Sequence, residues 1–133
     1  MQKQRGNMNS QNQPSALVTG ASSGMGKAIA RRLIDDGRLV YVAARSTDKM
    51  ADLVQLGAVA LRMDISKDAE IVAAVAAITE RSGGVDVLVN NAGYGLYGPV
   101  EEIGLDEARY QFEVNVFGAA RLTQLLLPAM RAK

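Results

Sequence analysis

Short apolar runs alternate with longer segments of helical periodicity over most of the chain. The apolar runs predict four strands, at residues 16–18, 39–44, 58–63 and 85–89. The periodic segments predict four helices, from the glycine-rich residues 20–26 to about residue 36, at 47–56, at 67–82, and from about 105 to the end. The strands are apolar on both faces and single helices separate them, which favours a parallel sheet covered by helices on both sides.

The first 14 residues do not share this pattern. They are polar and rich in Gln and Asn, with Met1 and Met8 as their apolar side chains. Because such a segment buries too little apolar surface to offset the entropy of ordering its backbone, we expect a disordered tail. It has no apolar stretch typical of a secretion signal, and the apolar run at 71–78 is far shorter than a membrane span of about 20 residues. We therefore expect a cytoplasmic protein with no membrane partner.

The composition narrows the possible chemistry. Of 133 residues, 48% are hydrophobic and 22% are charged, and 15 basic against 14 acidic side chains leave a net charge of +1. The absence of Cys and His excludes disulfides, thiol nucleophiles, imidazole metal ligands and catalytic relays that need either residue, and no metal site is predicted. The near-neutral charge gives no basic surface for nucleic acid, so the expected partner is a small molecule or another protein.

A glycine-rich segment, TGASSGMG at residues 19–26, joins the first predicted strand to the first predicted helix. At this junction a doubly wound fold presents backbone N–H groups and the positive end of a helix to a pyrophosphate. Glycines at 20, 24 and 26 permit a tight turn, close approach of a phosphate, and close packing of helix on strand. The alternative is a turn without a ligand, since glycine-rich turns also occur without one.

Three further motifs accompany this turn: the sequence NNAG at 90–93 directly after the fourth strand, Asp64 just past the third strand, and Asn115 inside the last helix. Together with TGxxxGxG, they resemble the classical short-chain dehydrogenase/reductase family from about residue 15 to the end. The resemblance implies a Rossmann-like, doubly wound α/β fold. It implies strand order 3-2-1-4 with the family's later strands missing, so residues 15–133 are expected to form the N-terminal part of an NAD(P)-binding domain.

The resemblance assigns three segments of the chain to a dinucleotide cofactor. The first loop is implied to hold the phosphates, the residues after the third strand to contact the adenine, and the NNAG segment to line the path between the two riboses. The implied residues are Gly20, Ser22, Ser23, Gly24, Met25, Gly26, Asp64, Ile65, Asn91, Ala92 and Gly93. Two alternatives stay open: Asp64 as a helix-capping acid, and Asn91 and Gly93 as residues that shape the backbone.

The end of the second strand predicts the choice of cofactor. An acid there would bind the ribose 2′-hydroxyl of NAD, whereas an Arg accommodates the 2′-phosphate of NADP. This sequence has Arg45 and Ser46 and no acid. Because guanidinium groups make charge-assisted contacts with phosphates, NADP(H) is preferred over NAD(H). The alternative is that Arg45 is a solvated loop charge that stacks over the adenine.

Asn115 is predicted to be buried in the middle of the last helix. Asn has poor helix propensity and competes for backbone hydrogen bonds, so its position invites a functional interpretation. The resemblance implies a catalytic role, in which this Asn bends the helix and anchors a water that links the catalytic Lys to solvent. A packed, hydrogen-bonded structural Asn is the alternative.

Hydride transfer in the family uses a Tyr, a Lys four residues later and a Ser, and none of the four tyrosines here has Lys at that position. We therefore expect an NADP(H)-dependent oxidoreductase acting on a small carbonyl or alcohol, with the catalytic Ser, Tyr and Lys absent from this chain, which alone is expected to be inactive. The alternative is a non-catalytic dinucleotide-binding fragment or regulatory module. The spacing TGxxxGxG counts against nucleotide-sugar epimerases, which normally show TGxxGxxG, and TGxxxGxG with NNAG counts against methyltransferases.

The last predicted helix also bears on assembly. In the family it commonly forms part of a dimer interface, so the resemblance implies a homo-oligomer through residues 105–131. Leu122, Leu125 and Leu126 are candidates for that surface, and packing onto the sheet is the alternative for most of them. The fourth strand is expected to leave an open apolar edge, which favours self-association or completion of the sheet by another chain.

Overall fold

Four strands and five helices follow one another in a computed structural model that describes residues 12–133. Most of the predicted disordered tail, residues 1–11, lies outside the described residues. The strands and helices are β1 (Ser15–Thr19), α1 (Gly24–Asp35), β2 (Leu39–Ala44), α2 (Ala51–Gln55), β3 (Val59–Arg62), α3 (Asp68–Ser82), β4 (Val87–Val89), α4 (Leu105–Phe112) and α5 (Ala119–Ala132). A 3-10 turn (Asp48–Met50) precedes α2, and a π-helical segment (Glu113–Gly118) joins α4 to α5.

The strands form one parallel sheet of order β3-β2-β1-β4. Leu17 of β1 lies opposite Tyr41 of β2 on one side and Leu88 of β4 on the other, and Tyr41 lies opposite Val59 of β3. The predicted fold class and strand order are therefore confirmed. The carboxyl ends of parallel strands meet at one edge of the sheet, so the loops that follow the strands lie close together.

Two hydrophobic cores cover the two faces of the sheet. Side chains alternate along the strands, so Leu17 and Tyr41 join the core under α3 and α5, whereas Val18 and Val42 join the core under α1 and α2. These strand side chains are at most 1% exposed. The double coverage explains why the strands read as continuous apolar runs, and each fully buried aliphatic side chain contributes about 1.5–3 kcal/mol.

Helix α3 ends where the sequence predicts. Gly83 has φ of 71°, a left-handed conformation that favours glycine, and its N–H donates to Thr79 O. The fourth strand is shorter than predicted, because it begins at Val87. Val85 is fully buried as predicted but precedes the strand, and the Asp86 N–H donates to Ser15 O.

A polar cluster lies at the opposite end of the sheet from the strand carboxyl ends. The buried Tyr41 hydroxyl lies 2.7 Å from Ser82 Oγ, which also donates to Gly84 O. Asp86 Oδ2 accepts from the Ser15 N–H at 2.7 Å. That hydrogen bond is the main reason that the pKa of Asp86 lies below its ordinary value. These contacts attach the start of β1 to the segment between α3 and β4.

The sequence pattern predicted one continuous last helix. The structure differs, because the backbone winds as a π-helix from Glu113 to Gly118. A side chain at Gly118 would collide with Ile65 O, so the close approach of this segment to the end of β3 requires glycine. Leu122 and Leu126 are at most 1% exposed and Leu125 packs against the same core. These leucines are therefore core residues and do not form an exposed interface, since helix periodicity directs them to the sheet.

Other large apolar or aromatic side chains of this region are exposed: Leu105, Tyr110, Phe112, Val116, Phe117 and Leu127. A homo-oligomer through residues 105–131 stays a prediction. Between residues 12 and 133, no helix has both the length and the apolar character needed to span a bilayer. The same residues contain no cluster of three or more acidic side chains suited to a metal ion.

Candidate functional site

An open cleft of about 680 Å³ lies where the carboxyl ends of the four strands meet. Every cofactor residue predicted from the sequence lines it except Gly26. The predicted residues on the cleft are Gly20, Ser22, Ser23, Gly24, Met25, Arg45, Ser46, Asp64, Ile65, Asn91, Ala92 and Gly93. The parallel topology thus brings together segments that are far apart in sequence.

Two glycines close the first loop against the NNAG segment. Gly20 has φ of 64°, and a side chain there would lie 2.9 Å from Ala92 Cα. Gly26 lies beneath the loop, where a side chain would collide with Asn91 Nδ2 and Gly20 O. Gly26 therefore supports the loop from below, which explains its absence from the cleft surface.

The N-terminus of α1 is open towards the cleft. Gly24, its first residue, has φ of 56° and open space where a side chain would stand. Ser23 forms no side-chain cap, and the first turn contains no acid. The first N–H groups of the helix therefore keep their hydrogen-bonding capacity and their positive potential, which suits an anion such as a phosphate.

Thr19 connects the first loop to the loop after β4, a role that the sequence analysis did not assign. Its Oγ1 donates to Val89 O and accepts from the N–H groups of Asn91 at 3.1 Å and Ala92 at 3.0 Å. Asn91 Nδ2 in turn donates to Thr19 O and Gly20 O, both at 3.1 Å. Both amide hydrogens of Asn91 are thus used to shape the backbone of the cleft. The position of Thr19 directly before Gly20 in the glycine-rich motif is the sequence feature that could have indicated this role.

The first residue of the NNAG segment faces another way. Asn90 Nδ2 donates to Thr123 Oγ1 of α5 at 3.1 Å, and Asn90 does not line the cleft. Within this segment, Asn90 therefore contacts α5, and the three residues after it form part of the cleft wall.

Asp64 lies on the cleft wall and does not cap α3, whose N-terminal cap residue Lys67 receives no side-chain cap hydrogen bond. Asp64 Oδ1 accepts from Ser66 N at 2.9 Å and from Ser66 Oγ at 2.6 Å, which fixes the turn before α3. Partial burial raises the pKa of Asp64, but the hydrogen bonds from Ser66 and the nearby charges of Lys67 and Arg45 outweigh it, so the pKa is lowered. The carboxylate is thus kept ionised on the cleft wall, where it can accept a hydrogen bond.

The far end of the cleft is basic. Arg45 and Lys49 line it, and within residues 12–133 neither side chain forms a salt bridge. Asp64 is the single acid among the described residues that line the cleft. Lys49 could not be predicted from the sequence, because its place in the cleft depends on the 3-10 turn and no local motif marks it.

Asn115 is exposed, and the prediction that it is buried in mid-helix is wrong. The π-helical segment carries its side chain to the loop after NNAG, where Oδ1 accepts from Tyr94 N at 3.0 Å and Nδ2 donates to Tyr94 O at 2.6 Å. Asn115 does not line the cleft. It fixes the backbone of Tyr94, which does line the cleft beside Tyr110, with 6.0 Å between the two ring centroids.

Known proteins are similar to this chain in sequence and in fold. A family model described as short chain dehydrogenase matches residues 14–133. A 3-ketodihydrosphingosine reductase of Bacteroides thetaiotaomicron is 36% identical over 115 residues, which are 86% of this chain and 41% of that protein. The structure of a short-chain dehydrogenase from Streptomyces avermitilis is 45% identical with a TM-score of 0.87, over 90% of this chain and 45% of that one.

A third match is the structure of an L-sorbose reductase from Gluconobacter frateurii complexed with NADPH and L-sorbose. It is 30% identical with a TM-score of 0.84, over 94% of this chain and 51% of that one. The chain spans about half or less of the length of these proteins. Because the family model covers residues 14–133, with the glycine-rich turn and the NNAG segment on one cleft, the chain belongs to the short-chain dehydrogenase family.

Proposed function

We propose that this chain forms the dinucleotide-binding part of an NADP(H)-dependent oxidoreductase that acts on a small carbonyl or alcohol. The observation that carries the proposal is the basic end of the cleft, where neither Arg45 nor Lys49 forms a salt bridge within the described residues. The L-sorbose reductase that this chain resembles is complexed with NADPH, which supports the same choice of cofactor.

The residues of the cleft fit the parts of the dinucleotide. The uncapped N-terminus of α1 suits the diphosphate, since Gly24 leaves open space for its oxygens. The ionised Asp64 can accept a hydrogen bond from the adenine amino group. Arg45, with Ser46 beside it, follows β2 at the position where the dinucleotide fold recognises the adenosine ribose. A guanidinium there favours a 2′-phosphate over a 2′-hydroxyl.

When bound, the cofactor supplies the hydride that is exchanged with a carbonyl or alcohol carbon. This chain contributes the binding and the orientation. The hydrogen bonds between Thr19 and Asn91 fix the floor of the cleft, and Asn115 fixes the backbone at Tyr94 on its rim. The 133 residues contain no Tyr with a Lys four residues later, the pair that the family uses for proton transfer, so the roles assigned to them concern the cofactor.

Titration of the chain with NADPH and with NADH tests the proposal by calorimetry. NADPH is expected to bind more tightly, and Arg45→Asp should lower its affinity about 10- to 100-fold, as expected for the loss of a charge-assisted hydrogen bond, while NADH changes little. Arg131→Asp, an equal change of charge on the exposed end of α5, is the matched control. An unchanged ratio of the two affinities in Arg45→Asp would refute the choice of cofactor.

The competing function is a non-catalytic dinucleotide-binding or regulatory module, which the missing Tyr-x-x-x-Lys pattern favours. Cofactor binding alone is common to both functions, so the coding sequence after Lys133 decides between them. A Ser followed about a dozen residues later by Tyr-x-x-x-Lys would support the oxidoreductase, by the family's own arrangement of these groups. A stop codon directly after Lys133 would support the module.

A further inference from the structure

A single lysine connects the basic loop of the cleft to α1. Lys27 Nζ donates to Lys49 O at 2.8 Å and to Asp52 Oδ1 at 3.0 Å, and Arg31 on the next turn donates to Asp52 Oδ2 at 3.2 Å. Within residues 12–133, every side-chain hydrogen bond between α1 and the segment 48–55 ends on Lys49 O or on Asp52. We name this set of three contacts the α1–α2 clamp.

We propose that Lys27 is a positioning residue for the 2′-phosphate of NADP(H), because the clamp holds the turn that carries Lys49, and the loop with Arg45 before it, at the cleft. The inference rests on the proposed function and deepens it, since it adds a determinant of cofactor choice that lies outside the cleft. Lys27 does not line the cleft.

The geometry gives α1 two tasks. Its N-terminal turn, beginning at Gly24, faces the cleft as a site for a diphosphate, and Lys27 follows one turn later on the same helix. Through Lys27 the helix also fixes the 3-10 turn Asp48–Met50, from which Lys49 reaches the cleft. The two anion-binding parts of the cleft are therefore held in a fixed relation by one rigid element.

The inner side of this segment is anchored by packing. Met50 and Leu53 are fully buried in the core under α1 and α2. Packing alone leaves the outer side of the turn free, where Arg45 and Lys49 are exposed. The clamp supplies the polar contacts on that outer side, and the hydrogen bond from Lys27 lowers the pKa of Asp52, which keeps the acceptor ionised.

Partly exposed ion pairs of this kind add little to global stability. Breaking the clamp should therefore lower the affinity for the cofactor more than the stability of the fold. Without the clamp, the turn is ordered only when the cofactor binds, and the entropy lost in ordering it reduces the free energy of binding. We expect NADPH affinity to fall about 3- to 10-fold in Lys27→Met and in Asp52→Ala, with NADH affinity within about twofold of the unaltered chain.

The two variants separate positioning from simple charge. Lys27→Met removes a positive charge near the cleft, whereas Asp52→Ala removes a negative one. If charge alone mattered, the first variant would weaken NADPH binding and the second would strengthen it. If Lys27 positions the turn, both single variants weaken NADPH binding. The double variant then binds NADPH no more weakly than the single variant with the lower affinity. Lys27→Arg keeps the charge and a long donor, and should restore binding to near its original level.

Arg32→Met and Asp36→Ala provide the matched control, because this ion pair lies on the same helix at 3.2 Å and contacts neither the turn nor the cleft. All affinities are measured by calorimetry with NADPH and NADH at a fixed ionic strength, and far-UV circular dichroism checks that each variant is folded. Control variants that match the original chain, with both clamp variants weakened for NADPH alone, support the proposal.

Tighter NADPH binding by Asp52→Ala, or unchanged binding in both clamp variants, overturns the positioning role. That result leaves the proposed function intact as long as the original chain prefers NADPH and Arg45→Asp abolishes the preference. If the original chain does not prefer NADPH, the proposed function itself fails. Equal weakening of NADPH and NADH also overturns the proposal, since it would place the effect of Lys27 on the diphosphate or on the fold.

Discussion

Gly26→Ala should separate the first loop of the cleft from the segment that supports it. A methyl group at this position would collide with Asn91 Nδ2 and with Gly20 O. The backbone of Gly26 does not have positive φ, so alanine can adopt its conformation, and the collision alone opposes the substitution. The side chain of Asn91 would have to leave its place, and with it the hydrogen bonds to Thr19 O and Gly20 O.

The expected magnitude follows from three competing effects. Alanine in place of glycine favours a helix by up to about 1 kcal/mol. Insertion of a methyl group into a packed site costs about 1–3 kcal/mol, and each lost hydrogen bond of Asn91 costs about 0.5–1.5 kcal/mol. The unfavourable effects are larger, so we expect a net loss of about 3 kcal/mol in the free energy of unfolding. For a domain of this size that loss lowers Tm by roughly 12 °C.

Urea unfolding followed by far-UV circular dichroism measures the free energy, because the chain has no Trp to serve as a fluorescent probe. The side-chain amide resonances of Asn91 report the displacement directly by NMR. Gly24→Ala is the control: Gly24 has φ of 56° and no atom within 4 Å of the added group. Gly24→Ala should therefore cost about 1 kcal/mol of backbone strain and leave the Asn91 resonances in place. Unaltered stability and unaltered Asn91 resonances in Gly26→Ala would refute the reasoning.

Two further predictions concern the loop at Tyr94 and the start of β1. Asn115→Ala removes both side-chain contacts to the Tyr94 backbone, so hydrogen exchange at the Tyr94 amide should accelerate about tenfold, with at most about 1 kcal/mol lost globally; unchanged exchange would contradict the anchoring role. Asp86→Asn should cost about 1 kcal/mol at pH 7, since the ionised carboxylate accepts from Ser15 N. Because the folded pKa of Asp86 lies below the ordinary 3.8, this contribution is present above that pH and is lost as the pH falls through the lowered value. Urea titrations at pH 7 and pH 2.5 should thus show the difference between Asp86→Asn and the original chain disappearing in acid, and a pH-independent difference would contradict it.

Local patterns predicted the elements well because helices pack on both faces of this sheet, which buries β1 and β2 fully and the edge strands β3 and β4 in part. The apolar runs at 39–44 and 58–63 agree with β2 and β3 within a residue at each end. The same reasoning failed at the last helix. Periodicity predicted an uninterrupted helix and did not register the π-helical segment, whose last residue, Gly118, lies against Ile65 from a different part of the sequence.

The candidate site divides in the same way. Gly20 and Gly24 meet a local backbone requirement, a positive φ, whereas Gly26 is required by its contact with Asn91, which is distant in sequence. The position of Asn115 could not be predicted, since its exposure depends on how the π-helical segment meets the loop at Tyr94. Lys49 was not predicted, because a bend between Arg45 and Lys49 brings both residues to the cleft. A contact with α1 fixes the course of that bend.

The sequence by itself determined the order of strands and helices, the place of the glycine-rich turn after β1, and the basic residue after β2, because each depends on local periodicity or on a short motif. The tertiary structure alone decided which polar groups are left to bind a ligand. The side chains of Thr19 and Asn91 form hydrogen bonds with each other's backbone. Lys27 donates to Asp52 and to the backbone of Lys49. Arg45 forms no salt bridge among the described residues. These outcomes depend on contacts between groups that are distant in sequence, and parallel strand pairing brings such groups to one edge only after the chain has folded.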